Sequence, residues 1–258
     1  MLLSITNSCH MGCSHCMDDA KPCDEHMGWG TFQDSIDFFN HYGGLELVIT
    51  GGEPFDHPSC FDFIEYALRY ATGSTGTGVA HITVTTNGMK ISENKSLQTA
   101  LLILMDRYRG LFNIQITHVD KYYPKKVNFT DNFFKVNPVV ICTEIESMYP
   151  MGRALTNNLP WNSKASKCFN IRSIVRSTKD LNISSTMLNL RYLKFCTPQI
   201  DIYGNIKLGE SKLCPVVSDI YESHGQIVKD ICNFKCSMCD HINKNLTAEQ
   251  LNAIGERR

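Results

Sequence analysis

Cys9-His10-Met11-Gly12-Cys13-Ser14-His15-Cys16 stands a few residues after the apolar run 2–6. The spacing is C-x3-C-x2-C. Three thiolates on one short loop can hold three irons of a four-iron, four-sulfur cluster. The fourth iron then has no protein ligand and is open to a substrate or cofactor. An open iron on a low-potential cluster is what reductive cleavage of a bound sulfonium requires. The competing reading is a structural zinc site with His10 or His15 as a further ligand. Zinc sites usually pair C-x2-C with a second pair well downstream and have no need of an additional cysteine just upstream.

Thr50-Gly51-Gly52-Glu53-Pro54 decides between them. It follows the apolar stretch 45–49, which reads as a buried parallel strand. Two glycines at a strand end let backbone groups approach a ligand closely, and Pro54 stiffens the exit. Together with C-x3-C-x2-C on the preceding strand, this segment resembles the radical S-adenosylmethionine superfamily. The resemblance implies that Cys9, Cys13 and Cys16 ligate a radical-generating [4Fe-4S] cluster. It also implies that Gly51, Gly52 and Glu53 contact the amino group of S-adenosylmethionine through their backbone. The position before the last cysteine, commonly aromatic and near the adenine in the family, is His15, which is planar and able to stack.

Composition fits a globular enzyme. The chain has 258 residues, enough for a full core, with a main domain and a small appendage as the natural division. Lys and Arg number 25 against 26 Asp and Glu, so no broad electrostatic footprint for nucleic acid or anionic membrane exists. The basic group Lys121, Lys125, Lys126 reads as a solvated loop. No apolar run is long enough to span a membrane; 101–105 is only a helix face. A first strand starting at Leu2 leaves no room for a secretory signal. Twelve cysteines without an export signal argue for metal binding in a reducing compartment, the cytoplasm, rather than for disulfides.

Apolar strands alternate with amphipathic helices, the pattern of a parallel α/β fold. Strands are expected at 2–6, 45–50, 81–86, 111–117 and 136–143, with a weaker sixth at 170–176. Helices are expected from a Thr31 cap, with Phe32, Ile36 and Phe39 on one face and Gly43-Gly44 as stop, and at 59–71 and 94–108. In the last of these Leu97, Leu101, Leu104 and Met105 form the buried stripe. The resemblance implies a partial (β/α)6 barrel with ligands at the carboxyl ends of the strands.

Those ends carry the remaining candidates. Asn87 lies in Thr86-Asn87-Gly88, which recurs near the cofactor in the family and also reads simply as an Asn-Gly turn. Gln115 and Thr117 alternate inward on the fourth strand and would touch the cofactor's ribose or carboxylate. His118 is a candidate acid or base, against the commoner role of a satisfied structural histidine. Tyr149-Pro150-Met151-Gly152-Arg153-Ala154 resembles a P-x-G-R-A segment of the family. Arg153 there would hold a carboxylate of cofactor or substrate, the alternative being a plain surface arginine.

The last third holds a second constellation. Cys196 and Cys214 flank the alternating stretch 199–208, whose Tyr203-Gly204-Asn205 centre reads as a β-hairpin. With Gly209 this gives C-x12-G-x4-C, and Cys232, Cys236 and Cys239 repeat C-x3-C-x2-C. The pattern resembles the auxiliary-cluster region of the SPASM and twitch subgroups, the shorter twitch form suiting five cysteines. It implies a division into residues 1–180, the barrel, and 181–258, a twitch-like domain. One auxiliary [4Fe-4S] cluster would be held by Cys196, Cys214, Cys236 and Cys239. Cys232 is the alternative ligand, and a zinc knuckle is the competing structural reading. Cys23, Cys60, Cys142 and Cys168 read as incidental thiols. Within 147–195, which should link barrel to cluster domain, Trp161, Phe169 and Tyr192 line either a pocket or the core.

By resemblance, an external one-electron reductant charges the first cluster. S-adenosylmethionine is then cleaved to methionine and a 5′-deoxyadenosyl radical, which takes a hydrogen atom from the substrate, and the auxiliary cluster accepts an electron. The leading expectation is oxidative modification of a ribosomally made peptide by a maturase. The alternative is dehydrogenation of a small molecule such as an aminocyclitol. A non-enzymatic iron–sulfur carrier is disfavoured by the Gly51-Gly52-Glu53-Pro54 segment, and activation of a glycyl-radical enzyme by the placing of the C-terminal cysteines. Eight residues precede Cys9 and nineteen follow Cys239, so leader recognition would fall to a separate protein.

Overall fold

A computed structural model describes residues 1–42, 46–72, 80–144, 152–160, 198–208 and 215–233. Strands β1 (Leu2–Ser4), β2 (Glu46–Thr50), β3 (His81–Thr86), β4 (Phe112–Thr117) and β5 (Val139–Cys142) lie side by side in sequential order, all parallel. Helices α1 (Trp29–Tyr42), α2 (Cys60–Tyr70) and the pair α3 (Met89–Glu93) and α4 (Lys95–Arg107) connect the first four. Between β4 and β5 a loop and the 3-10 turn Asn132–Lys135 replace a helix. This is the expected α/β architecture, a mostly parallel sheet of barrel type.

The register explains the two faces of the sheet. Leu3, Ile49, Val84 and Ile114 form one row, and Leu47, Ile82 and Phe112 another. Every one of these is fully buried, in a core shared with Phe32, Ile36 and Phe39 of α1, Phe63 and Ile64 of α2, and Leu101, Leu104 and Met105 of α4. Phe32 stacks on Phe63 with ring centroids 4.0 Å apart. Each such side chain contributes about 1.5–3 kcal/mol by leaving water. The opposite face carries polar pairs, Ser4 beside Thr50, Thr83 beside Asn113, Thr85 beside Gln115 and Thr117 beside Cys142, with Leu2, Val48 and Val140 among them. β2 is therefore not the doubly buried strand expected from its composition. It alternates, because only one of its faces is covered by helices.

Local signals hold with small corrections. Asn94 caps α4 by accepting from the Leu97 amide at 3.0 Å. Thr31 does not cap α1, which begins two residues earlier at Trp29; its carbonyl accepts from Ser35 Oγ inside the helix and its hydroxyl meets Tyr221. β5 starts at Val139 rather than 136, because the 3-10 turn takes the preceding residues.

The expected hairpin forms from β6 (Pro198–Ile200) and β7 (Asn205–Leu208), with Asp201 accepting from the Tyr203 and Asn205 amides at 3.0 and 3.1 Å. It is not set apart from the barrel: β6 pairs in parallel with β1, so the sheet runs on through β7 to β8 (Val216–Asp219). Its last strand is followed by a helix at His224–Asn233. The sixth barrel strand at 170–176 and Trp161, Phe169 and Tyr192 lie outside the described residues. No helix among the described residues is long and apolar enough to cross a membrane.

Candidate functional site

Past β1 the chain keeps its direction and carries the cysteine loop. Ile5 N–H donates to Thr50 O, Asn7 N–H to Glu25 O and Cys9 N–H to Lys21 O, each at 2.9 Å, so the two flanks of the loop are tied together. Cys9 and Cys13 are buried at 7% and 8% exposure, and Cys16 is half-buried. Met11 and Ala20 pack with them against Met89, Tyr123 and Val127. Burial raises the Cys9 thiol, and burial together with the charges of Cys9 and Cys16 pushes Cys13 up to about 12. Among the described residues no three His, Cys, Asp or Glu side chains converge on one ion. The donor set, three thiols close enough to feel one another's charge, suits a cluster that takes one thiolate per iron. Bound iron would supply the positive charge that makes thiolates tolerable in this burial.

Side chains from distant elements hold this loop. Ser14 donates its N–H to Tyr122 O at 2.9 Å, and Asn157 Nδ2 donates to Ser14 O at 2.9 Å. Arg153, in α5 (Gly152–Thr156), donates its N–H to Cys16 O at 2.9 Å and Nε to Cys13 O at 2.7 Å, while Nη1 serves Asp19 Oδ1 and Ala20 O, both at 2.9 Å. Among the described residues, the carboxylate that Arg153 meets is Asp19 on the loop. Asp56, in the 3-10 turn Pro54–Asp56, accepts from His10 Nδ1 at 2.8 Å and His10 N at 3.2 Å and pairs with Lys90 at 3.4 Å. Sequence reasoning singled out none of Asp56, Tyr122 or Asn157, and no motif marks them.

The glycine turn meets the same loop. Gly52 N–H donates to Thr6 O and Glu53 N–H to Ser8 O, both at 2.7 Å. A Cβ on Gly51, where φ is +139°, would lie 2.3 Å from Thr6 O, and one on Gly52 would lie 2.2 Å from Ser8 O. The close approach that needs glycine here is to the chain leading into Cys9. With both amides spent, the carbonyls are what this turn can offer a ligand, and carbonyls suit an ammonium group. Glu53 is buried at 2%. Its carboxylate accepts from Thr86 Oγ1 at 2.6 Å, Asn87 N at 2.8 Å and Phe55 N at 3.2 Å. Burial pushes it up to about 7 despite these donors.

The other predicted residues gather around this centre. Asn87 places Nδ2 3.9 Å from Cys9 Sγ, and Gly88 takes φ +78° after it, so the Asn-Gly turn and the contact coexist. His15 sits between Tyr122 and Tyr123 at ring distances of 5.2 and 5.3 Å. Burial lowers it to about 4, which keeps the ring neutral, and its Nδ1 is buried without a hydrogen-bond partner. Gln115 and Thr117 lie on the polar face; Gln115 Nε2 donates to Cys142 Sγ at 3.5 Å and Thr117 accepts from Tyr123 OH at 3.3 Å. His118 is buried at 3%, packed on Tyr123 and Phe129, with Asp120 3.4 Å from Nε2, and burial lowers its pKa. Cys23 is exposed and Cys60 is buried at the start of α2. Cys196, Cys214, Cys236, Cys239 and Cys168 lie outside the described residues, and Cys232 falls in the helix that ends at Asn233.

The sequence pattern of the Radical SAM superfamily matches residues 3–136, just over half of the 258 residues and the span that holds both motifs. The chain belongs to the radical SAM superfamily. Solved structures that resemble this radical SAM protein include native anSMEcpe with bound AdoMet and Kp18Cys peptide. That pair is 12% identical with a TM-score of 0.42, covering 91% of this chain and 80% of the other. SuiB of Streptococcus suis bound to S-adenosylmethionine is 13% identical with a TM-score of 0.43, covering 92% and 69%. No curated protein matches.

Proposed function

We propose that this radical SAM enzyme carries out an oxidative modification of a peptide, using S-adenosylmethionine and a [4Fe-4S] cluster held by Cys9, Cys13 and Cys16. The observation that carries the reading is the pair of hydrogen bonds from Gly52 and Glu53 to Thr6 and Ser8. It joins two motifs that are separate in the sequence into one site, immediately before Cys9. When bound and charged by an external one-electron donor, the cluster and S-adenosylmethionine together supply a 5′-deoxyadenosyl radical able to abstract a substrate hydrogen.

The residues of the chain orient and shield. The carbonyl edge at Gly51, Gly52 and Glu53 receives the amino group of the methionine moiety. His15, neutral between two tyrosines, presents a flat edge for the adenine. Gln115 and Thr117 offer an amide and a hydroxyl to the ribose or carboxylate. The polar face that includes Thr50, Thr85 and Asn113 matches peptide amides, which need both donors and acceptors. A small polyol, as in aminocyclitol oxidation, would satisfy the same groups, and substrate trials separate the two. Residues 181–258 supply an auxiliary cluster through Cys196, Cys214, Cys236 and Cys239, with Cys232 as the substitute ligand, and a separate protein recognises the leader. A reducing compartment such as the cytoplasm keeps these thiols available.

Anaerobic reconstitution tests the reading, with iron and sulfide counted in the wild type and in a Cys9/Cys13/Cys16→Ala variant. About eight irons per chain, falling to about four with loss of 5′-deoxyadenosine formation, is the expected result. About four in the wild type with the cofactor still cleaved would restrict the protein to one cluster. No cleavage by the loaded wild type would overturn the enzymatic reading.

A further inference from the structure

The Asn87 carboxamide is oriented by more than its turn. Its Oδ1 accepts from the Met89 amide at 2.9 Å, and its own N–H is held by Glu53 Oε2 at 2.8 Å. With the oxygen end fixed on Met89, the NH2 end must point the other way, which settles the orientation of the amide. That end lies 3.9 Å from Cys9 Sγ, at the length of a contact to a large sulfur acceptor. Asn87 is 7% exposed, so bulk water does not compete for the sulfur. Thr86 Oγ1 closes the arrangement by donating to Glu53 at 2.6 Å and accepting from the Gly88 amide at 3.0 Å. Glu53 therefore serves two ends of one device: its backbone N–H binds Ser8, next to Cys9, and its carboxylate holds the turn that aims Asn87 at Cys9.

We propose that Asn87 is a dedicated hydrogen-bond donor to the Cys9 thiolate that sets the reduction potential of the cluster held there. This rests on the assignment of Cys9, Cys13 and Cys16 as cluster ligands. A donor to a ligating sulfur stabilises the more negative, reduced state and so raises the potential. The cluster must be reducing enough to cleave a sulfonium, yet within reach of its electron donor. A fixed carboxamide at one of three thiolates sets that balance from inside the protein.

The test uses full-length wild type, Asn87→Ala and Asn87→Asp, reconstituted anaerobically. Iron and sulfide are counted first, and the cluster whose signal depends on Cys9, Cys13 and Cys16 is then titrated by electron paramagnetic resonance. Asn87→Asp keeps an oxygen for Met89 N but replaces the NH2 group, whereas Asn87→Ala loses both. The expected result is equal iron content and about a tenfold smaller reduced fraction at fixed potential in both variants, equivalent to about 59 mV downward for one electron. The aspartate variant should shift at least as far. Equal potentials in all three proteins would overturn the proposal. So would a shift in Asn87→Ala with Asn87→Asp like wild type, which would make the residue a turn cap. Loss of iron from both variants with secondary structure intact would overturn tuning in favour of assembly, and if only one keeps iron, that one decides. Wild type whose iron is indifferent to the three cysteines would instead sink the ligand assignment itself.

Discussion

Side chains from remote parts of the chain reach onto the 9–20 loop and add to its backbone ties, whereas the 51–54 turn meets the segment before Cys9 through its own backbone. Arg153, Asn157 and Asp56 grip carbonyls, an amide and an imidazole on the loop. The turn gives two amides to Thr6 and Ser8 and leaves no room for even one added carbon. A backbone-held turn has one geometry that any defect destroys. A side-chain-held loop can lose its ties one at a time. That suits their proposed tasks, since the turn must fix a ligand's position while the loop must admit and retain iron.

The largest expected effect comes from breaking the turn. In Gly52→Ala the new methyl would stand 2.2 Å from Ser8 O, a backbone atom that moves only if the segment before Cys9 moves. A loss of about 3 kcal/mol follows. Urea unfolding should report it, and iron uptake should fall together with stability. An unchanged midpoint would mean that the turn yields more easily than its contacts imply.

Glu53 sharpens the comparison because it adds a charge to a backbone-held element. Its carboxyl titrates near 7 when buried against an ordinary value of 4.5, so between these the folded protein keeps a proton that the unfolded chain has released. Stability therefore falls as pH rises from about 4.5 through 7, by of order 3 kcal/mol. His15 works the other way: held near 4 rather than 6.5, it weakens the fold as pH drops through that interval. Glu53→Gln removes the first effect and leaves the second. Melting temperatures across this range should show the wild type losing ground to the variant as pH rises. A parallel pair of curves would mean that Glu53 titrates normally.

The loop should fail more gradually. Arg153→Ala removes the donors to Cys13 O, Asp19 and Ala20 O, an expected loss of about 2 kcal/mol. Arg153→Lys should restore little of it, since an ammonium cannot span both carbonyls as the planar fork does. Chelator challenge of the reconstituted protein should release iron faster in both variants, and lysine matching wild type would contradict the fork.

How much of this was legible follows from where each constraint resides. The cysteine spacing and Gly51-Gly52-Glu53-Pro54 are read directly, because ligand chemistry and steric exclusion act on residue type at fixed positions. The helix stripe of Leu101, Leu104 and Met105 is local for the same reason. Asp56, Tyr122 and Asn157 act only through tertiary proximity, and nothing in their sequence neighbourhoods distinguishes them. Arg153 is legible as a functional arginine, whereas the Cys13 and Ala20 carbonyls and the Asp19 carboxylate that it meets are brought to it only by the fold. The alternation in β2 is one of burial and not of residue type, since Val48 is as apolar as Leu47 and Ile49 on the covered face, so composition alone does not reveal it.

The smallest effect should come from the outer edge of the loop's support. Asp56 is 3% exposed in its side chain and Lys90 43%, so removing the lysine takes one charge from a carboxylate that retains both donors of His10. An exposed partner in such a pair contributes about 0.5 kcal/mol, less at high salt. Lys90→Gln should therefore leave iron content and stability near wild type. Asp56→Ala should do more, because it frees His10 N and Nδ1 together and slackens the loop beside Cys9. If the two variants prove equally mild in chelator release, the loop is held by Arg153 and Asn157 from its far side, and the Asp56 contact only follows its position.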